Sequence, residues 1–157
     1  MKDNYQRNID YIRISVTDRC NLRCLYCMPD GTDLKTHDEI IRDEEIIDTV
    51  RSGVELGITK VRITGGEPLV RRGIYELIKK ISLIKEINEI TITTNGLLLI
   101  GNVKKLKDAG INRVNFSLDT LDNEKFKFIT NTDQILDYEA LIEELIEFDL
   151  QPIKINT

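Results

Sequence analysis

The sequence holds only three cysteines and one histidine, and none of the cysteines follows position 27. Three is an odd number, so disulfide pairing would leave one thiol over. No apolar signal segment opens the chain, which argues against a secreted, disulfide-stapled scaffold. No apolar run is long enough to span a membrane. Acidic residues outnumber basic ones, for a net charge of −5, which argues against a general nucleic-acid surface, although a few well-placed arginines could still hold an anion. No linker, charge block or low-complexity stretch divides the chain, so 157 residues read as one domain. Free thiols point to a reducing, cytoplasmic setting.

What the sequence does have is a cluster. Cys20-Asn-Leu-Arg-Cys24-Leu-Tyr-Cys27 puts all three thiols in eight residues. Gaps of three and two residues let a tight loop turn the sulfurs toward one point. Three thiolates at one point make a metal or iron–sulfur site with one coordination position open, and an open position is what a catalytic centre keeps. Inert buried cysteines would be scattered, and zinc would need a fourth ligand. The lone His37 lies ten residues on in a polar stretch and reads as an exposed loop residue rather than that ligand. The residues favour an iron–sulfur cluster over zinc or inert thiols.

Strands and helices alternate along the chain. Tyr11–Thr17, Lys60–Thr64, Glu89–Thr94, Asn112–Leu118 and Pro152–Thr157 read as strands. Asp43–Gly57, Ile74–Ile84, Asn102–Ala109 and Asp137–Phe148 read as helices. Such alternation predicts βαβ units, a parallel sheet and right-handed crossovers. Within the strands one parity is apolar: Ile12, Ile14, Val16; Val61, Ile63; Ile90, Ile92; Val114, Phe116, Leu118; Ile153, Ile155. The other is polar: Arg13, Ser15; Arg62, Thr64; Thr91, Thr93, Asn95; Asn115, Ser117, Asp119; Lys154, Asn156. Alternate side chains point to opposite faces, so the sheet offers one polar face. That face is either open to water or the wall of a ligand cavity in a curved, barrel-like sheet; the second reading is preferred. Its sites would lie near the carboxyl ends of the strands, where the cysteine loop also sits. There Gly65-Gly66-Glu67-Pro68 follows the second strand; its glycines allow a ligand to approach the main chain, and Pro68 biases Glu67 toward extended geometry.

Taken together, the cysteine spacing with Tyr26 before Cys27 and the Gly65–Pro68 motif resemble the radical S-adenosylmethionine (SAM) superfamily. The runs Ile14–Cys24, Tyr26–Pro29, Val61–Arg71, Thr93–Gly96, Asn115–Asp119 and Lys154–Thr157 look like its GTP 3′,8-cyclase family, which opens molybdenum-cofactor biosynthesis. The resemblance implies an α/β fold, a partial (βα) TIM-like barrel of parallel strands that stops after about five strands. It implies that Cys20, Cys24 and Cys27 hold a [4Fe–4S] cluster whose open iron binds SAM, cleaved by an electron to give a 5′-deoxyadenosyl radical. That radical would take hydrogen from the GTP ribose, and the ribose radical would close onto the purine. Tyr26, Gly65, Gly66, Glu67, Pro68 and Ser117 would hold SAM; Arg13, Arg62, Thr93 and Lys154 would contact GTP, and a reductant protein would feed the cluster. A homodimer stays open. Members of that family are about twice as long, and their second half carries another [4Fe–4S] cluster. The expectation is therefore that residues 1–157 form the amino-terminal part of such an enzyme, binding a cluster and SAM weakly without turning over GTP. A different radical SAM enzyme, an electron-transfer iron–sulfur protein and a non-enzymatic partner-binding domain are the alternatives.

Overall fold

A computed structural model describes residues 2, 4–28 and 33–157 of the chain. Five strands form one sheet in the order β1-β2-β3-β4-β5, every neighbouring pair parallel. They are β1 (Tyr11–Ser15), β2 (Lys60–Thr64), β3 (Glu89–Thr94), β4 (Arg113–Ser117) and β5 (Lys154–Asn156). The helices are α1 (Asp43–Glu55), α2 (Ile74–Ser82), α3 (Val103–Ala109), α4 (Asn123–Thr130) and α5 (Tyr138–Glu147), with short 3-10 turns at His37–Glu39 and Pro68–Val70. Sequential order without reversal is the winding of a (βα) barrel; a doubly wound sheet would reverse. Right-handed crossovers then put the helices on one side. The fold is a partial barrel of five strands, as the alternation predicts.

The predicted strand and helix positions hold, most with ends trimmed by one or two residues. Strands β2 and β3 coincide with the predicted spans. Helix α4 is the addition. Its sequence, Asn-Glu-Lys-Phe-Lys-Phe-Ile-Thr, buries only Phe126 and Thr130 and leaves Phe128 exposed, so it carries no clear apolar stripe. The signal that could have found it is Asp122, whose carboxylate accepts from Glu124 and Lys125 N–H as an N-cap. His37 opens a 3-10 turn; the exposure expected of its side chain lies outside the described residues, as does Pro29.

Pairing register confirms the two-faced sheet, because directly paired residues of parallel strands share a face. Ile14, Ile63, Ile92 and Val114 form one apolar row across four strands. This face meets Ile46 and Val50 of α1, Leu77, Ile78 and Ile81 of α2, Leu106 of α3 and Leu141 and Leu145 of α5 in one core. On the other face Arg13, Arg62, Thr91 and Arg113 form one row, and Thr93, Asn115 and Lys154 another. At the centre of that polar face Thr91 and Asn115 are buried at 2% exposure each, while Arg13 and Lys154 on the edge strands are exposed. Ile155 also stays exposed, so the apolar parity of β5 is not covered like the others. No helix among the described residues is long and apolar enough to cross a membrane.

One ion pair joins the layers where the cysteine loop begins. Arg71, little exposed, donates to the backbone oxygens of Val16 and Ile41 and pairs with Asp43 at the start of α1 at 2.6 Å. Removing Arg71 leaves the half-buried Asp43 charge and two carbonyls without this donor. Arg71→Met is expected to lower unfolding free energy by about 3 kcal/mol, read as a lower urea midpoint with unchanged slope.

Candidate functional site at the carboxyl rim

Residues 16–28 leave β1 at the carboxyl rim and are pinned there by hydrogen bonds to four elements. Val16 N–H continues the ladder to Thr64 O, and Gly66 and Glu67 N–H donate to Thr17 O and Arg19 O at 2.7 and 2.8 Å. Arg23 and Leu25 N–H donate to Thr130 O and Ile129 O at the end of α4. Those carbonyls have no partner within the helix, so α4 lends its unsatisfied end to the cysteine loop. Tyr26 hydroxyl donates to Asp119 just beyond β4 at 2.8 Å, and Asn95 beyond β3 donates to Asn21 at 2.9 Å.

The two glycines are required by this packing. A Cβ on Gly65 would stand 2.4 Å from Thr17 O, and φ there is +154°; on Gly66 it would stand 2.3 Å from Arg19 O. The close main-chain approach that they permit is thus to the head of the cysteine loop. Glu67 is fully buried. Its Oε1 accepts from Leu69 N–H and Thr94 hydroxyl, and its Oε2 from Asn95 N–H. Burial pushes its carboxyl above the usual range, and these three donors pull the other way. The Glu67 carboxylate is engaged inside the protein, and Pro68 beside it is buried.

All three cysteines are unbonded. Burial pushes the Cys20 and Cys24 thiols up, and Cys24 also feels Asp119 and both other cysteines. Cys24 is therefore within electrostatic reach of both other sulfurs. Yet among the described residues no three cysteine, histidine or acidic side chains converge tightly enough to hold a single metal ion. A cluster needs no such convergence, because each thiolate takes a different iron. The donor set also suits a thiolate: Leu22 N–H and Asn95 Nδ2 both point at Cys20 Sγ, at 3.3 and 3.8 Å. Beside them Asn21 Nδ2 is buried without a protein partner. Three soft anionic ligands, N–H donors aimed at one of them and a spare donor fit a [4Fe–4S] group.

Tyr26 is well exposed, and burial of its hydroxyl beside the Asp119 carboxylate pushes its pKa strongly up, so it stays protonated as the donor. Ser117 lies on the polar face paired with Asn156. The other predicted contacts spread down that face. Arg13 pairs with Arg62 in register, and Thr93 and Lys154 both pair with Asn115. Arg62 stacks over Tyr11 at 5.6 Å and keeps its Nε without a partner.

Sequence reasoning missed the amino-terminal end of the face. A cavity of about 340 Å³ opens there, lined by Asp10, Tyr11, Lys60, Arg62, Glu89 and Arg113 among others. Lys60 pairs with Asp10 at 2.9 Å and Arg113 with Glu89 at 3.1 Å, and Arg113 Nε is also unpartnered. Arg113, Glu89 and Lys60 all belong to the polar parity, so extending the period by one residue at each strand start would have found them. The cationic surface reaches further from the rim than the strand-end rule suggests.

Comparison with known proteins agrees with this arrangement. The radical SAM superfamily profile matches residues 14–157. The chain is 54% identical over 158 residues to the GTP 3′,8-cyclase of Thermodesulfovibrio yellowstonii, covering 99% of this chain and 49% of that protein. It is 54% identical to the GTP 3′,8-cyclase of Petrotoga mobilis, covering 100% and 49%. The chain thus spans about half the length of the curated relatives it matches. Among solved structures, Streptococcus suis SuiB bound to S-adenosylmethionine superposes with a TM-score of 0.66 at 21% identity, over 93% of this chain and 40% of that one. BtrN in complex with AdoMet and 2-DOIA gives 0.62 at 17%, over 95% and 56%. At such identities the two structures establish the fold alone.

The packing of the glycines makes a specific prediction. Gly66→Ala must push the Arg19 carbonyl, and with it the cysteine loop, out of place. Circular dichroism should keep the wild-type helix content, while iron bound after anaerobic reconstitution should fall at least several-fold.

Proposed function

The chain belongs to the radical SAM superfamily, and on that footing we propose that residues 1–157 supply the cluster loop, the SAM cradle and much of the nucleotide-facing surface of a GTP 3′,8-cyclase. The observation that carries the reading is that the three-thiol loop and a cation-bearing polar sheet face belong to one continuous wall of the same partial barrel. When bound, the cluster and SAM supply the reducing electron and the carbon radical.

The residues of the chain bind and orient. Cys20, Cys24 and Cys27 hold three irons of the [4Fe–4S] group. Tyr26, kept protonated beside Asp119, the Gly65–Pro68 turn and Ser117 hold SAM. Glu67 does so indirectly, by fixing the turn, since it is buried and its carboxylate, N–H and carbonyl all serve protein partners. Arg13, Arg62, Thr93 and Lys154 face GTP. Guanidinium and ammonium groups opposite a triphosphate make charge-assisted contacts, and Arg62 lines the cavity on this face. Identities of 50–54% with proteins named GTP 3′,8-cyclase support this substrate over those of other radical SAM enzymes. A reductant protein and a reducing, cytoplasmic setting complete the reading.

Two measurements test it. After anaerobic reconstitution, the reduced cluster should give an electron paramagnetic resonance (EPR) spectrum that changes when SAM is added; an unchanged spectrum would point to a simple electron-transfer protein. Arg62→Ala and Lys154→Ala should each weaken GTP binding by about tenfold, roughly 1.4 kcal/mol, in equilibrium dialysis. Full GTP affinity in both variants would instead favour a radical SAM enzyme with another substrate.

A further inference from the structure

Asn95 follows β3 at the carboxyl rim and is held from both ends. Its backbone N–H donates to Glu67 Oε2 at 2.8 Å. Its side-chain Oδ1 accepts Leu97 N–H at 3.1 Å. Because a fixed backbone donor occupies Oδ1, the amide has one favourable orientation, with Nδ2 turned to the cysteine loop. There Nδ2 lies 2.9 Å from Asn21 Oδ1 and 3.8 Å from Cys20 Sγ. Leu22 N–H approaches the same sulfur at 3.3 Å. The turn after β3 fixes which end of the amide faces the cysteine loop, the buried Glu67 carboxylate holds the backbone, and Asn21 Oδ1 within the loop completes the orientation.

We infer that Asn95 is a positioning residue that presents an N–H to the Cys20 thiolate and thereby raises the reduction potential of the cluster. The inference rests on the cluster reading above and goes beyond it. Reduction adds negative charge that is shared by the irons and their sulfur ligands. A donor dipole aimed at one sulfur stabilises the more negative state more than the oxidised one. Among the described residues Cys20 receives two such donors, one from its own loop and one from the turn after β3. The β3 donor couples the cluster to the sheet, whereas a donor within the loop would move with it. Glu67 contributes at one remove, by fixing the Asn95 backbone.

The test uses the anaerobically reconstituted chain and a potentiometric titration of the reduced cluster followed by EPR. Asn95→Ala removes the donor. Asn95→Asp keeps an oxygen for Leu97 N–H and offers no N–H to the sulfur. Iron and sulfide contents first establish that each variant carries a complete cluster. In every variant that does, the midpoint should move to more negative potential. An unchanged or more positive midpoint in Asn95→Ala with a complete cluster would overturn the inference while leaving the cluster reading intact. Should neither variant hold a cluster, pulsed EPR decides on Asn95 itself, with asparagine labelled by ¹⁵N in the side-chain amide. A ¹⁵N coupling to the reduced cluster that persists in Asn21→Asp is expected, and its absence overturns the inference. If the unsubstituted chain takes up no iron, the cluster reading fails and this inference falls with it.

Discussion

A buried carboxylate, with no cation beside it among the described residues, holds the rim of this barrel together. Glu67 is completely buried, and an ionised group in that position is costly unless hydrogen bonds replace its water. Three do: from Leu69 N–H, Thr94 hydroxyl and Asn95 N–H. Its own N–H reaches Arg19 O. One residue thus ties the turn after β2, the end of β3 and the head of the cysteine loop. Removal of the carboxylate would leave three donors without acceptors, in a place water does not reach.

The cysteine loop hangs from this brace. It has little apolar substance of its own; beyond Val16 and Thr17 at its base, Leu22 is the buried residue among those described. Its order comes from backbone bonds to Thr64, to the Gly-Gly turn and to the last carbonyls of α4, and from side-chain bonds to Asn95 and Asp119. A loop fixed at its base and flanks can present three thiolates in a set arrangement without packing them into a core. The Gly-Gly turn takes part because only a residue without Cβ can lie 2.3–2.4 Å, as a Cβ would measure it, from the Thr17 and Arg19 carbonyls.

The polar sheet face has its own internal economy of charge. Lys60 and Arg113 are paired with Asp10 and Glu89, which holds them in place at the amino-terminal end. Arg62 has the Tyr11 ring beneath it and a free Nε. Arg13 and Lys154 project from the edge strands into the open. The face therefore combines paired cations at its amino-terminal end with exposed ones at its margins, an arrangement suited to an extended anion.

Periodicity alone carried much of this. The two-residue alternation of Arg13, Arg62, Thr93 and Lys154 against Ile14, Ile63, Ile92 and Ile155 fixes which face each occupies, because strand geometry sends successive side chains to opposite sides whatever surrounds them. The cysteine spacing is equally local, and so is the Gly65–Pro68 turn. Helix α4 was not legible in its apolar pattern and showed only in its Asp122 cap, since its far end is held by contacts with the cysteine loop. The burial of Glu67 was not legible either: a Glu before Pro in a turn looks like a surface residue until β3 arrives over it. The aim of Asn95 at Cys20, 75 residues away in sequence, is of the same kind. Local covalent geometry is written residue by residue, so the sequence determines faces, spacings and turns. Which donor meets which acceptor across the rim depends on strand order and loop packing, and only the tertiary structure decided that.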